Sequence, residues 1–278
     1  MFGRRPDGTQ VRELSAMRRF MPYVSPRRND SVFHLAQDMD VEAAFEFLEK
    51  KNRERPPERP ITLFHLFLRS GSQALHLRPG VNRFVKGGKL WQRHGEWLTF
   101  GAKVRIEDGA PLVTIKRKFE PTTESLDEMV DGIYGLIRPA RAGKKSTSDK
   151  EMGLMLRLPG FVIRAALWLL RVADHFGAVP RAMIDADPLY TSCFVANLGS
   201  VGHDAGFHHL WEYGTCSLFG VMGKLKRGPD GRRFMTVCWT YDERIEDGLY
   251  SYIVLAGIKD RIEHPELLEL STLELERR

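Results

Sequence analysis

The chain is poor in cysteine. Only Cys193, Cys216 and Cys238 occur among its 278 residues, widely spaced and with no Cys-x-x-Cys pair, which excludes a disulfide framework and a cysteine zinc site. It has no internal repeat, no low-complexity linker and no excess of one charge sign that could by itself drive nucleic-acid binding. The 42 lysines and arginines face 36 acids, mixed through most of the chain, and leave a net charge of +6 and a pI of about 9.3. That balance permits an anionic partner without specifying nucleic acid. Arg4 and Arg5 are followed by no apolar run, so no signal peptide is visible and the expected compartment is cytoplasmic. No uninterrupted apolar run reaches the roughly 20 residues of a membrane span. The stretch from Leu154 to Val179 comes nearest, and Arg157, Arg164, Arg171, Asp174 and His175 interrupt it.

A composition 42% hydrophobic and 28% charged is that of a globular domain with a sizeable core. Residues 1–30 carry seven arginines, Arg4, Arg5, Arg12, Arg18, Arg19, Arg27 and Arg28, with Pro6, Pro22 and Pro26, and read as an N-terminal arm that docks on a neighbour. Val32, His34, Ala36 and Asp38 alternate with Phe33, Leu35, Gln37 and Met39, which predicts a strand; Val41 to Arg53 has helical spacing. Pro56, Pro57 and Pro60 end that helix, and Thr62 can cap a second helix that runs through Leu75 to Pro79-Gly80. Strands follow at Arg83 to Val85, Lys89 to Trp91, Trp97 to Ile106 and Leu112 to Phe119, with Gly87-Gly88 as a turn. A helix over Ser125 to Arg138 precedes a polar, basic stretch, Arg141 to Lys150, that reads as a mobile loop.

Phe161, Ala165, Trp168, Leu169 and Val172 recur at helical spacing, so the next segment is an amphipathic helix packed on the domain or on another subunit, or attached peripherally to a membrane through about 158–176. Tyr190 to Asn197 is a short apolar run of the kind that forms a buried strand. Ser217 to Lys224 and Arg233 to Tyr241 are strands joined across Gly228-Pro229-Asp230-Gly231, and Gly248 to Arg261 is a closing helix. This order predicts an α/β or α+β domain whose sheet is assembled from distant segments.

Several segments then acquire a common meaning. Ile61 to Arg69, Arg78-Pro79-Gly80-Val81-Asn82-Arg83-Phe84, Phe194 to Gly202 with its Asn197-Leu198-Gly199, Glu243-x-x-x-Asp247-Gly248, and His264-Pro265-Glu266-Leu267-Leu268 follow one another as in the catalytic core of the dihydrolipoyl acyltransferases of 2-oxoacid dehydrogenase complexes. The chain resembles that family, within the chloramphenicol acetyltransferase-like superfamily, over about 230 residues. The resemblance implies a mixed central sheet flanked by helices, with residues 31–278 as the core domain and about 141–188 as an added helical insertion. It also implies a homotrimer or cage of trimers with a substrate channel between subunits, contact with other complex subunits, and no preceding lipoyl or peripheral-subunit-binding domain.

The same resemblance makes the site degenerate. The family's base is the histidine of His-x-x-x-Asp-Gly, and Glu243 stands there. A carboxylate with an ordinary pKa of about 4.3 is a poor base toward a thiol of about 8.5. The family's oxyanion donor is a serine, and Ala196, beside Asn197, stands there with nothing to donate. Asp247 remains, implied to orient the loop by a buried ion pair with an arginine. The expectation is a non-catalytic scaffold or binding protein. The alternative is a coenzyme A-dependent acyltransferase that uses Glu243 or a nearby histidine as base and Lys224, Lys226, Arg232 and Arg233 for the coenzyme A phosphates. His203, His208 and His209 offer weak metal spacing, no metal is expected, Ser192 and Ser200 flank the missing serine, and Cys193 reads as a core cysteine.

Overall fold

The computed structural model describes residues 5–103, 112–141, 153 and 155–277. Its strands are β1 (Gly8–Gln10), β2 (Val32–Asp40), β3 (Arg83–Lys86), β4 (Lys89–Arg93), β5 (Glu96–Lys103), β6 (Leu112–Phe119), β7 (Cys193–Asn197), β8 (Leu218–Arg227) and β9 (Arg233–Asp242). Its helices are α1 (Ala16–Val24), α2 (Glu42–Asn52), α3 (Leu63–Leu77), α4 (Leu126–Arg141), α5 (Gly160–His175), α6 (Arg181–Ala186), α7 (Gly248–Glu263) and α8 (Thr272–Leu275). Apart from Arg141, which ends α4, the loop reading of 141–150 lies outside the described residues, as do the last residues of the strand expected at Trp97 to Ile106.

Six strands form the main sheet in the order β2-β9-β8-β7-β5-β6. The alternation of β2 has a direct cause: it pairs with β9 over its whole length, from Val32 opposite Asp242 to Asp40 opposite Phe234, so successive side chains fall on opposite faces. Met39, Val195, Met222, Val237 and Trp239 point to one face and meet α3 and α7 in the principal core. There Phe67 stacks on Trp239 with ring centroids 5.5 Å apart. Phe194, Phe219, Val221 and Cys238 point to the other face and pack with Leu210 and Trp211 from the connection between β7 and β8. The β7 run is apolar without alternation because both faces are covered, and β7 is parallel to both its neighbours.

The helix α3 starts where predicted, with Thr62 as its N-cap. Thr62 and His65 form a reciprocal cap in which the Thr62 backbone N–H donates to His65 Nδ1 at 3.1 Å. Burial, with Arg55 nearby, lowers the His65 pKa to about 4, so the ring is neutral and free to accept.

The N-terminal segment differs from the arm reading. From Arg5 onward it folds onto its own chain: β1 joins β4 and β3 in a second sheet, and Arg5 and Arg28 are buried. The cause is electrostatic. Arg5 forms an ion pair with the Asp174 carboxylate at 2.8 Å and donates to the Asp174 backbone carbonyl at 2.7 Å, and its guanidinium lies 5.2 Å from the Phe84 ring centre. Lys86 reaches the second carboxylate oxygen of Asp174 at 2.7 Å, and the Tyr190 hydroxyl donates to it at 2.9 Å. Burial opposes charge on Asp174, but Lys86 and Arg5 outweigh it and hold its carboxyl below the ordinary carboxylate range. The same network fastens α5 to the body. Leu170 and Ala173 add apolar contact with Val179, Ile184 and Tyr190.

Candidate functional site

The loop that follows β9 is fixed from beneath. Glu243 donates its backbone N–H to the Ser31 carbonyl at 2.9 Å, and its own carbonyl accepts from Arg18 of α1 at 2.8 Å. The Asp242 carboxylate is fully buried and accepts two bonds from the Arg244 guanidinium, at 2.8 and 2.7 Å, with Arg28 Nε 3.7 Å away. Arg244 also donates to the carbonyls of Ser25 and Pro26, and Arg28 to those of Trp211 and Gly214. One buried carboxylate therefore ties the motif loop to the N-terminal segment and to the β7–β8 connection. Burial lowers the Arg28 pKa, with Asp242 acting against it.

This corrects the role implied for Asp247. Asp247 is exposed and caps α7, accepting the Tyr250 backbone N–H at 2.8 Å. The buried ion pair belongs to Asp242, five residues earlier. Glu243 itself is exposed, and Glu246 pairs with Arg83 beside Gly80.

Ala196 lies on the β7 face that packs with Phe194, Phe219, Val221 and Cys238, where it presents only a methyl group. Asn197 closes the following turn. Its side-chain oxygen accepts from the Ser200 N–H at 3.1 Å, and Ser200 Oγ donates back to the Asn197 carbonyl at 2.8 Å. The turn needs a glycine at 199 because an added Cβ would stand 2.3 Å from the Gly223 carbonyl oxygen of β8. Gly199→Ala is expected to cost about 1–3 kcal/mol of stability by overpacking, measurable as a lower urea midpoint with an unchanged m-value.

Glu243 and Ala196 do not meet within one chain. Ala196 pairs with Val221 of β8, whereas the backbone at Asp242 is bonded to Ser217, four residues earlier and just before that strand begins. At about 3.3 Å per residue that is roughly 13 Å along the strand, with the sideways step across β8 and β9 still to add. A base and an oxyanion donor must both reach one carbonyl centre at hydrogen-bond range. These positions can serve the same carbonyl only across a contact between two copies.

The proposed phosphate-binding cations are already paired. Lys224 and Lys226 contact Asp204 at 3.2 and 2.8 Å, Arg232 contacts Asp40 at 2.8 Å, and Arg233 contacts Glu42 at 2.5 Å. His203 is exposed, and His208 stacks on Phe219 at 4.2 Å and on His209 at 4.5 Å. Among the described residues no group of three or more histidine, cysteine or acidic side chains is arranged to hold a metal ion. Ser192 Oγ accepts the Trp97 N–H at 3.0 Å, and Cys193 is buried with its thiol pKa pushed up by desolvation. The Asp242 and Asp174 networks escaped the sequence reading. One signal was available for the second: Asp174 is the only acid between residues 153 and 176.

No family model matches the chain, and no curated protein matched it by sequence. Solved structures match it in shape. The cubic core of a pyruvate dehydrogenase multienzyme complex superposes with a TM-score of 0.59 at 15% identity, over 94% of this chain and 95% of that one. A dihydrolipoamide acetyltransferase of Azotobacter vinelandii gives 0.61 at 14% identity, over 94% and 95%; it was studied for the catalytic roles of a serine, a histidine and an asparagine. A chloramphenicol acetyltransferase gives 0.57 at 11% identity, over 92% and 99%. The chain therefore has the chloramphenicol acetyltransferase-like fold, as its motifs implied.

Proposed function

We propose that this chain, with a fold shared with self-assembling acyltransferase cores, is itself a core subunit that forms trimers or cages of trimers and serves as a scaffold or binding protein. The observation that carries this reading is that Glu243 and Ala196 stand at the two motif positions where a base and an oxyanion donor are implied. Loss of a general base costs about two to four orders of magnitude in rate and loss of an oxyanion donor about two to three. A site short of both retains the shape without the chemistry. The buried Asp242, Arg244 and Arg28 cluster supports the same reading, because it holds the loop rigidly without involving Glu243 or Asp247 in an ion pair.

Two measurements test it. Sedimentation at micromolar concentration is expected to give a trimer or a multiple of three; a monomer would overturn the assembly. Acyl transfer from acetyl-coenzyme A to dihydrolipoamide or a simple amine is expected to stay at the uncatalysed rate, with Glu243→Gln unchanged. Turnover abolished by Glu243→Gln would instead make Glu243 the base of a coenzyme A-dependent acyltransferase.

A further inference from the structure

The helix α5 is held on one side and bare on the other. Its inner side carries Asp174, Leu170 and Ala173, which bind it to the body. Its outer side exposes Phe161 at 70%, Trp168 at 62% and Leu169 at 59% of their full areas. Leu158 just before the helix and Phe176 just after it extend the stripe. Single exposed apolar residues are ordinary, but a stripe of large ones along one helix marks an interaction surface.

The charges say what kind. Arg164 and Arg171 stand seven residues apart, a spacing that drifts only about 20° around a helix, so they line one border of the apolar stripe, and Arg157 lies in the turn just before it. All three are exposed, and Asp174, the only acid from 153 to 176, is buried inside its own ion pairs. Two copies of α5 docked on each other would bring arginine rows together with no acid to neutralise them. An anionic lipid surface supplies the opposite charge and takes the aromatic and aliphatic side chains as well. At about 1.5 Å per residue, 16 residues span roughly 24 Å, less than a hydrocarbon core, and among the described residues no helix is long and apolar enough to cross a membrane. The geometry points to α5 lying in the plane of an anionic membrane, with Phe161, Trp168 and Leu169 inserted and the arginine row at the headgroups. The assembled particle then attaches peripherally through one such helix per subunit.

Flotation of the full chain with vesicles of phosphatidylcholine alone, or with about 30 mol% phosphatidylserine, tests this. The protein is expected to float with the anionic vesicles only. At about fivefold per arginine, Arg164→Gln with Arg171→Gln is expected to weaken partitioning roughly 25-fold. Phe161→Ser, Trp168→Ser and Leu169→Ser together are expected to abolish flotation without changing the sedimentation mass. Absence of flotation, or flotation indifferent to both sets of substitutions, would overturn the inference. A fall in assembled mass in the serine variant would also overturn it and assign the stripe to a contact between copies, whereas monomeric wild-type protein that still floats would sink only the proposed assembly.

Discussion

Asp174→Ala is expected to remove about 3–5 kcal/mol from the unfolding free energy, because it leaves Lys86 charged and buried without a carboxylate and Arg5 with Asp7 as its one remaining partner acid. The Tyr190 hydroxyl loses its acceptor as well. Asp174→Asn keeps hydrogen-bonding capacity but not the charge, and should recover only part of the loss. Urea unfolding at fixed protein concentration measures both. A loss below about 1 kcal/mol would mean that water already screens this carboxylate. Hydrogen exchange should show residues 160–175 opening first in the variant, since the network anchors α5 to the body.

The same group sets a pH dependence. Its folded pKa lies below its unfolded value, so its contribution is complete above the unfolded value of about 3.9 and is lost as pH falls through the lower folded value. Wild-type protein should therefore lose stability in acid more steeply than Asp174→Asn. In Asp174→Ala the sign reverses at the other end of the scale. Burial already lowers the pKa of Lys86, and with no carboxylate to oppose burial the folded state releases that proton more readily than the unfolded one. The variant should regain stability as pH rises toward the ordinary lysine value of about 10.4.

Asp242→Ala should be comparably damaging, about 3–5 kcal/mol, by leaving Arg28 and Arg244 buried and unpaired. Asp247→Ala, by contrast, removes only a helix cap and should cost about 0.5–2 kcal/mol. The order matters more than either value. If Asp247 carried the buried ion pair that the motif implies, it would be the costlier substitution. Chemical denaturation of the two variants side by side decides which aspartate secures the loop.

That contrast shows where sequence reading stops. The α3 start was legible because Thr62 follows the prolines at the helix boundary and capping is local, whereas the part His65 plays in the cap was not read. The β2 alternation was legible because a half-covered strand repeats every second residue, and Gly199 stood out within its Asn-Leu-Gly motif. Asp242 and Asp247 lie in the same acidic loop and differ in sequence only by position. What separates them is the burial of one beneath Arg28, which arrives from more than two hundred residues away. The N-terminal arginines read as an arm for the same reason: the carboxylate that receives Arg5 is Asp174, at the far end of an apolar helix.

By itself the sequence determined the kinds and order of most elements from Val32 onward, the identities of Glu243 and Ala196 at the motif positions, and the motif pattern that implied this fold. These depend on local spacing, on turn chemistry and on residue identity. Only the tertiary structure decided the strand order, which aspartate is buried, which face of α5 is left bare, and how far Ala196 lies from Glu243. Each of those is set by contacts between distant segments, and the energy of a buried charge depends on its surroundings more than on its neighbours along the chain.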